Sequence, residues 1–134
     1  MRSRSHGVTL IELTIMIVIL SITIPSTFWF FAENSRKAIE SERRVIATLL
    51  VEERMEEVLS DRHSSTRGYS YLVTGNYPDD TPLTGYTRVV EFEDVDPSDL
   101  STTSPGSGFR KITVTVSYSS PDGSSAFSTV VSDS

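Results

Sequence analysis

From Leu13 to Phe31 the chain runs for nineteen residues without a charged side chain (LTIMIVILSITIPSTFWFF). A helix of that length crosses the hydrocarbon of a bilayer. The run closes on Phe28, Trp29, Phe30 and Phe31, with Glu33 and Asn34 directly after, so one membrane–water interface is expected there. Pro25 lies inside the run and has no N–H for the carbonyl of Ser21. A kink or local unwinding is therefore expected around Ser21 to Ile24, with the Ser21 and Thr23 hydroxyls or a packed neighbour satisfying the freed groups.

Beyond the run, Glu33 to Leu59 contains no glycine or proline. Its apolar residues recur at helical spacing, with Ile39, Ile46 and Leu50 on one line and Ala47, Val51, Met55, Val58 and Leu59 on another. Nothing separates the two segments, which predicts one helix from Val8 to Leu59, roughly 78 Å long at 1.5 Å per residue. The stripe is too short and irregular for sustained heptads, so packing against its own domain is preferred to a coiled-coil seam. Glu33 with Lys37 and Glu40 with Arg44 stand four residues apart, as helical ion pairs do. Arg2 and Arg4 precede the span, and Arg36, Lys37, Arg43 and Arg44 follow it interleaved with Glu33, Glu40 and Glu42. Counting Lys and Arg alone puts the C-terminal side in the cytoplasm, but the interleaving leaves orientation open.

After Ser60 five of the six prolines and six of the seven glycines appear, which marks a segment of strands and loops. Residues 61–85 read as a long irregular loop apart from Tyr71 to Thr74, either a recognition surface or a packed excursion. Tyr86 to Val95, Arg110 to Ser119 and Ala126 to Ser132 alternate as strands, with Pro121, Asp122 and Gly123 turning the last pair. The expected fold is α+β: one long N-terminal helix packed against a small three- to four-stranded antiparallel sheet. The helical stripe is the cover for the apolar face of that sheet.

Composition removes whole classes of function. Twelve Lys plus Arg against eighteen Asp plus Glu give a net charge of −6 and a pI near 4.8, which disfavours a phosphate-neutralising nucleic-acid binder. The chain has no cysteine and only two histidines, His6 and His63. Thiol chemistry, cysteine-ligated metals and histidine-based acid–base catalysis thus have almost nothing to be built from, and no enzymatic activity is expected.

The N-terminus is not an ordinary secretory signal, in which a small-residue cleavage site follows the apolar run. Here Gly7 precedes the run and separates a short basic leader, MRSRSHG, from VTLIELTIMIVIL; Glu12 stands five residues beyond it. A carboxylate inside a lipid-embedded helix costs about 2.5–3.5 kcal/mol at mid-depth, less near the interface, and calls for a cationic partner or for snorkelling to the headgroups. Gly7, Val8, Thr9, Leu10, Ile11, Glu12 and Leu13 together resemble the prepilin leader of type IV pilins and pseudopilins. Over the rest of the chain the resemblance is architectural: a long N-terminal helix carrying a small antiparallel sheet. The stretches VEERMEEV, RVVEFEDVD and RKITVTVSY look more like minor pilins or minor pseudopilins than abundant subunits.

The resemblance implies a leader at residues 1–7, a transmembrane half-helix at 8–31, an amphipathic half at 32–60 and a sheet domain at 61–134. It further implies cleavage by a prepilin peptidase between Gly7 and Val8 and N-methylation of Val8, where the family usually has phenylalanine. Glu12 would pair with the N-terminal amine of a neighbouring subunit, and Pro25 would mark where the helix loosens in a filament. The location implied is a single pass through the inner (plasma) membrane with the C-terminal domain outside the cytoplasm, followed by a periplasmic or cell-surface filament. Its partners would be other pilin or pseudopilin subunits, the peptidase, an inner-membrane assembly platform and membrane lipid. The competing reading is a membrane-anchored, non-polymerising extracytoplasmic binding module that uses the loop 61–85.

Weaker constellations remain. Glu91, Glu93, Asp94, Asp96 and Asp99 form an acidic run, and Glu93, Asp94, Asp96 and Asp99 are the candidate oxygen ligands for Ca²⁺. Some pilin-like proteins hold calcium in this region, but the run lacks EF-hand glycine and spacing, and a solvated strand edge is the preferred reading. Tyr69, Tyr71, Tyr77 and Tyr86 with Arg67 and Arg88 suggest a stacking surface for single-stranded DNA or carbohydrate, against which packing of the loop onto the sheet is preferred. His63 beside Asp61 and Ser64 is read as a solvated histidine at a helix end, favoured by the dipole.

Overall fold

The computed structural model describes residues 9–119 and 122–133. Its first element is a helix, α1, spanning Leu10–His63. By the density of contacts the chain divides into two compact units, Met1–Ile39 and Glu40–Ser134.

In the first unit every residue of the apolar run is exposed, with Ile22 at 68% and Trp29 at 75%. This stretch makes α1 a candidate single membrane span, the only helix among the described residues long and apolar enough for one. The helix is continuous through Pro25, so the local unwinding expected at Ser21 to Ile24 is not present. Nor do the hydroxyls serve the carbonyl that Pro25 leaves without a donor. Ser21 Oγ donates to the Ile17 carbonyl at 2.7 Å and Thr23 Oγ1 to the Ile19 carbonyl at 3.0 Å. Each reaches back one turn, as hydroxyls within an intact helix do. Ser26 and Thr27 do the same toward Ile22 and Thr23.

In the second unit the remainder of α1 packs against an antiparallel sheet, which makes the fold α+β and compatible with a pilin-like architecture. The strands are β1 (Asp80–Leu83), β2 (Tyr86–Asp96), β3 (Asp99–Thr103), β4 (Phe109–Tyr118) and β5 (Gly123–Ser132). Their order is β1-β2-β4-β5, with β3 paired to the far end of β2. The sheet thus has five strands rather than the three or four expected. The two unforeseen ones are short, and neither carries an apolar alternation. β1 contains Pro82, and all five residues of β3 are exposed. Both exist because β2 is long enough to template a neighbour at each end. β1 returns into β2 through Thr84 and Gly85, where a φ of +86° needs glycine.

The core forms where two periodicities meet. Ala47, Val51, Met55 and Val58 on α1 are buried, as are Val90 on β2 and Ile112, Val114 and Val116 on β4. This is the second of the two helical lines read from the sequence; from the first, Ile46 and Leu50 pack at the margin and Ile39 is exposed. Among the described residues β4 is the one strand paired with β5, and the ten residues of β5 include no charge and no proline.

The helix runs four residues past the expected Leu59 because its last turn is tied down. His63 Nδ1 bonds the Leu59 carbonyl at 2.8 Å, in keeping with a histidine at a helix end. The pairs Glu33–Lys37 and Glu40–Arg44 form at 3.7 and 3.5 Å, exposed and worth a few tenths of a kcal/mol at most.

Candidate functional site

Two places carry the residues singled out by the sequence: the start of α1, and the segment between α1 and β2 with the strand ends it touches. At the first, Thr9 Oγ1 accepts a hydrogen bond from the Glu12 N–H at 3.3 Å, and the Leu13 N–H reaches the Thr9 carbonyl at 3.1 Å. Thr9 therefore caps the helix, and Glu12 is its third residue. The pattern Thr-x-x-Glu is that of a capping box, legible in the sequence but not drawn from it. It sets the Glu12 carboxylate in the first turn, where the positive end of the helix dipole favours an anion. The dipole offsets part of the penalty of placing that charge in an apolar segment. Gly7 and Val8, the residues of the expected cleavage and methylation, lie outside the described residues.

The segment from Ser64 to Asp79 is not an open loop. Two 3-10 turns, Tyr69–Tyr71 and Thr74–Asn76, replace the ordered stretch expected at Tyr71 to Thr74. Leu72 and Tyr77 are buried in the core, and three ionic links hold the segment and its flanks. Asp61, at the end of α1, accepts from Arg67 Nη1 at 2.6 and 2.8 Å and from the Tyr77 hydroxyl at 2.8 Å. Burial pushes the Asp61 carboxyl up, but the bonds from Tyr77 and Arg67 outweigh it, and its pKa falls below the ordinary value. Burial and the facing Asp61 carboxylate push the Tyr77 phenol up, so it stays a donor.

Arg88 forms the second link. It lies almost wholly buried, with Nε and Nη2 on Asp80 at 2.9 and 2.7 Å and Nη1 on the Leu50 carbonyl at 3.2 Å. One side chain thus joins β1, β2 and α1, and its bond holds the Asp80 carboxyl below the usual range. The third link is Arg110, which donates to Asp94 at 2.7 Å and to the Leu72 carbonyl at 2.7 Å, its guanidinium 4.8 Å from the centre of the Tyr69 ring.

These contacts decide where the expected binding residues stand. Tyr77 and Tyr86 are buried, and Tyr69 and Tyr71 are half-buried beneath Arg110 and Arg67. The four rings therefore form no common open platform, and packing of the loop, the preferred reading, is what is observed. The four calcium candidates are also spread over separate local bonds. Asp94 holds Arg110 and the Gly106 N–H, Asp96 takes the Ser98 N–H and hydroxyl, and Asp99 binds Ser101 and Thr102. Glu93 bonds Thr103 Oγ1. Among the described residues no three His, Asp or Glu side chains converge on a point. An open cleft of about 360 Å³ lies beside Leu72, Phe92 and Arg110, but its charged groups are already paired.

No family model, curated protein or solved structure matches the chain.

Proposed function

We propose that the protein is a structural subunit, minor rather than abundant, of a type IV pilus-like or type II secretion pseudopilus filament. Prepilin peptidase would cleave between Gly7 and Val8 and the new amine of Val8 would be methylated, with the C-terminal domain lying outside the cytoplasm of a single-pass inner-membrane protein. The subunit would then join its neighbours through the apolar half of α1.

The observation that carries this reading is the sequence Gly7-Val8-Thr9-Leu10-Ile11-Glu12-Leu13, of which Thr9 caps and Leu10 to Leu13 open a helix that is apolar and exposed through its first half and carries an antiparallel sheet on its second. The chemistry supports it. A carboxylate fixed in the first turn of an apolar helix needs a cation, and a freed amine at Val8 of an adjacent copy supplies one. Assembly then has an axial register, because the apolar surfaces alone would slide past one another.

The test is the intact mass of the protein extracted from native membranes. The expected value lacks residues 1 to 7, with or without one methyl group. An unprocessed mass, or cleavage beyond the apolar run, removes the amine that Glu12 is to meet and turns the reading to a membrane-anchored binding module that does not polymerise.

A further inference from the structure

Within Glu40–Ser134, the arginines donate to carboxylates or backbone carbonyls, among them Arg43 to Ser119, Arg62 to Ser132 and Arg88 to Asp80. Lys111 is the one Lys or Arg there without such a partner among the described residues. It sits on β4 on the face of the sheet turned away from α1, since its neighbour Ile112 points into the core. Beside it runs a groove of about 380 Å³ lined by Leu100, Lys111, Ser128, Thr129 and Val130, mostly apolar, with Leu100 itself 48% exposed. Glu93 stands opposite Lys111 on β2 but bonds Thr103. A half-buried ammonium at the edge of an apolar groove fits a ligand that brings both an aliphatic surface and a carboxylate.

The same chain presents such a surface. On the side of α1 turned away from the sheet, Glu42, Val45, Leu49, Glu52 and Glu56 follow one another at steps of three and four residues, which places them on a single strip. Val45 and Leu49 are 57% and 58% exposed. Neither Glu52 nor Glu56 has an ionic partner among the described residues.

We infer that the Val45–Leu49–Glu52 strip of one copy docks in the Leu100–Lys111–Val130 groove of a second copy, with Glu52 on Lys111. The strip and the groove face opposite ways, so no copy can fill its own groove, and the contact is head-to-tail. Each copy in such a contact keeps one strip and one groove free for the next copy. The patch is smaller than a stable soluble dimer needs, and confinement of the copies to one membrane supplies the effective concentration.

The chain has no cysteine, so lone thiols can be placed freely. Two differently tagged full-length copies, one carrying Leu49→Cys and the other Leu100→Cys, are oxidised in native membranes. The expected product is the L49C–L100C heterodimer, about five-fold or more above either homodimer. Lys111→Glu on one copy or Glu52→Lys on the other lowers it several-fold, and the two together restore it. Because both residues are at the surface, the restored pair also shows that the single variants fold. Predominant L49C–L49C product, linkage to a different protein, absence of cross-linking, or indifference to the charge reversals overturns the inference. It does not rest on polymerisation. With Glu12→Leu present the heterodimer persists, and filaments that assemble while the cross-link fails overturn the docking alone.

Discussion

The Tyr77 hydroxyl donates to Asp61 at 2.8 Å across sixteen residues of chain, and this bond closes the segment between α1 and β1 onto the core. Asp61 is buried at the last turn of α1, and Tyr77 is 2% exposed. Tyr77→Phe removes the donor and leaves the ring in place. It is expected to lower stability by about 1.5–3 kcal/mol, the usual contribution of a hydrogen bond to a charged group. Thermal unfolding of the detergent-solubilised chain measures it. A variant as stable as the parent would show that the segment is held by its apolar contacts alone.

Acid should loosen the same region. Asp61, Asp80 and Asp94 all have carboxyls lowered below the ordinary value, by Tyr77 and Arg67 acting against burial at Asp61, by Arg88 at Asp80 and by Arg110 at Asp94. A carboxyl whose folded value lies below its unfolded value of about 3.9 binds protons more readily in the unfolded chain. Its contribution is complete above that pH and is lost as the pH falls through the folded value. The melting temperature is therefore expected to hold between pH 7 and 5 and to drop below about pH 4. Asp61→Asn combined with Asp80→Asn should begin lower at pH 7 and show a smaller acid-induced drop. An equal drop in parent and variant would place the acid sensitivity elsewhere.

Arg88 stands on β2 and reaches both α1 and β1, so Arg88→Met should cost about 2 kcal/mol. This is less than a wholly buried pair would lose, because the Asp80 side chain is 36% exposed and keeps Arg54 at 3.7 Å. Urea unfolding compared with Arg44→Met, whose Glu40 pair is exposed, provides the contrast: the Arg44 variant should be nearly neutral.

At the start of β5 the ring of Tyr118 lies where a side chain on Gly123 would go. A Cβ at Gly123 would stand 2.5 Å from the Tyr118 hydroxyl oxygen and 2.6 Å from Cζ, and that ring is buried against Tyr86. Gly123→Ala should therefore destabilise by about 1–3 kcal/mol. Gly75→Ala, with nothing within 4 Å, should not. Equal melting temperatures for the two would mean that the hairpin shifts to make room.

For the proposed assembly, Glu12→Leu is expected to leave membrane insertion intact and to abolish recovery of the protein in sheared filaments. Co-fractionation with membranes and with the filament pool separates the two outcomes. Undiminished recovery would remove the amine–carboxylate pairing from the mechanism.

Two of the three strands that could be read from the sequence are those whose burial alternates. β2 and β4 each pair one inward row with one outward row, while β5, buried only at Val131, was legible from its β-branched residues and the turn before it; the expected ranges lie within a few residues of those observed. β1 and β3 carry no such signal because neither contributes a row to the core; they are held by the backbone of β2. The two helical segments were legible because glycine and proline are absent from Ser26 to Leu59, and α1 passes through Pro25 itself without a break. The ionic links were not legible. Asp61 with Tyr77, Arg88 with Leu50 and Arg110 with Leu72 join residues that only the folded chain brings together. The Thr9 cap was written in plain view four letters wide, and its meaning for Glu12 emerged only with the first turn of α1 in place.

The two borders of the sheet are finished differently. On the β2 side, short strands containing Pro82, Asp80 and Asp99 stopper the hydrogen-bonding groups, whereas β5 offers ten uncharged residues in a row. Proteins commonly guard such a border with lysine, proline or a bulge. When the protein is overproduced beyond the capacity of its membrane, the expected failure is ribbon-like sticking of folded chains along β5, with a native core preserved inside the precipitate.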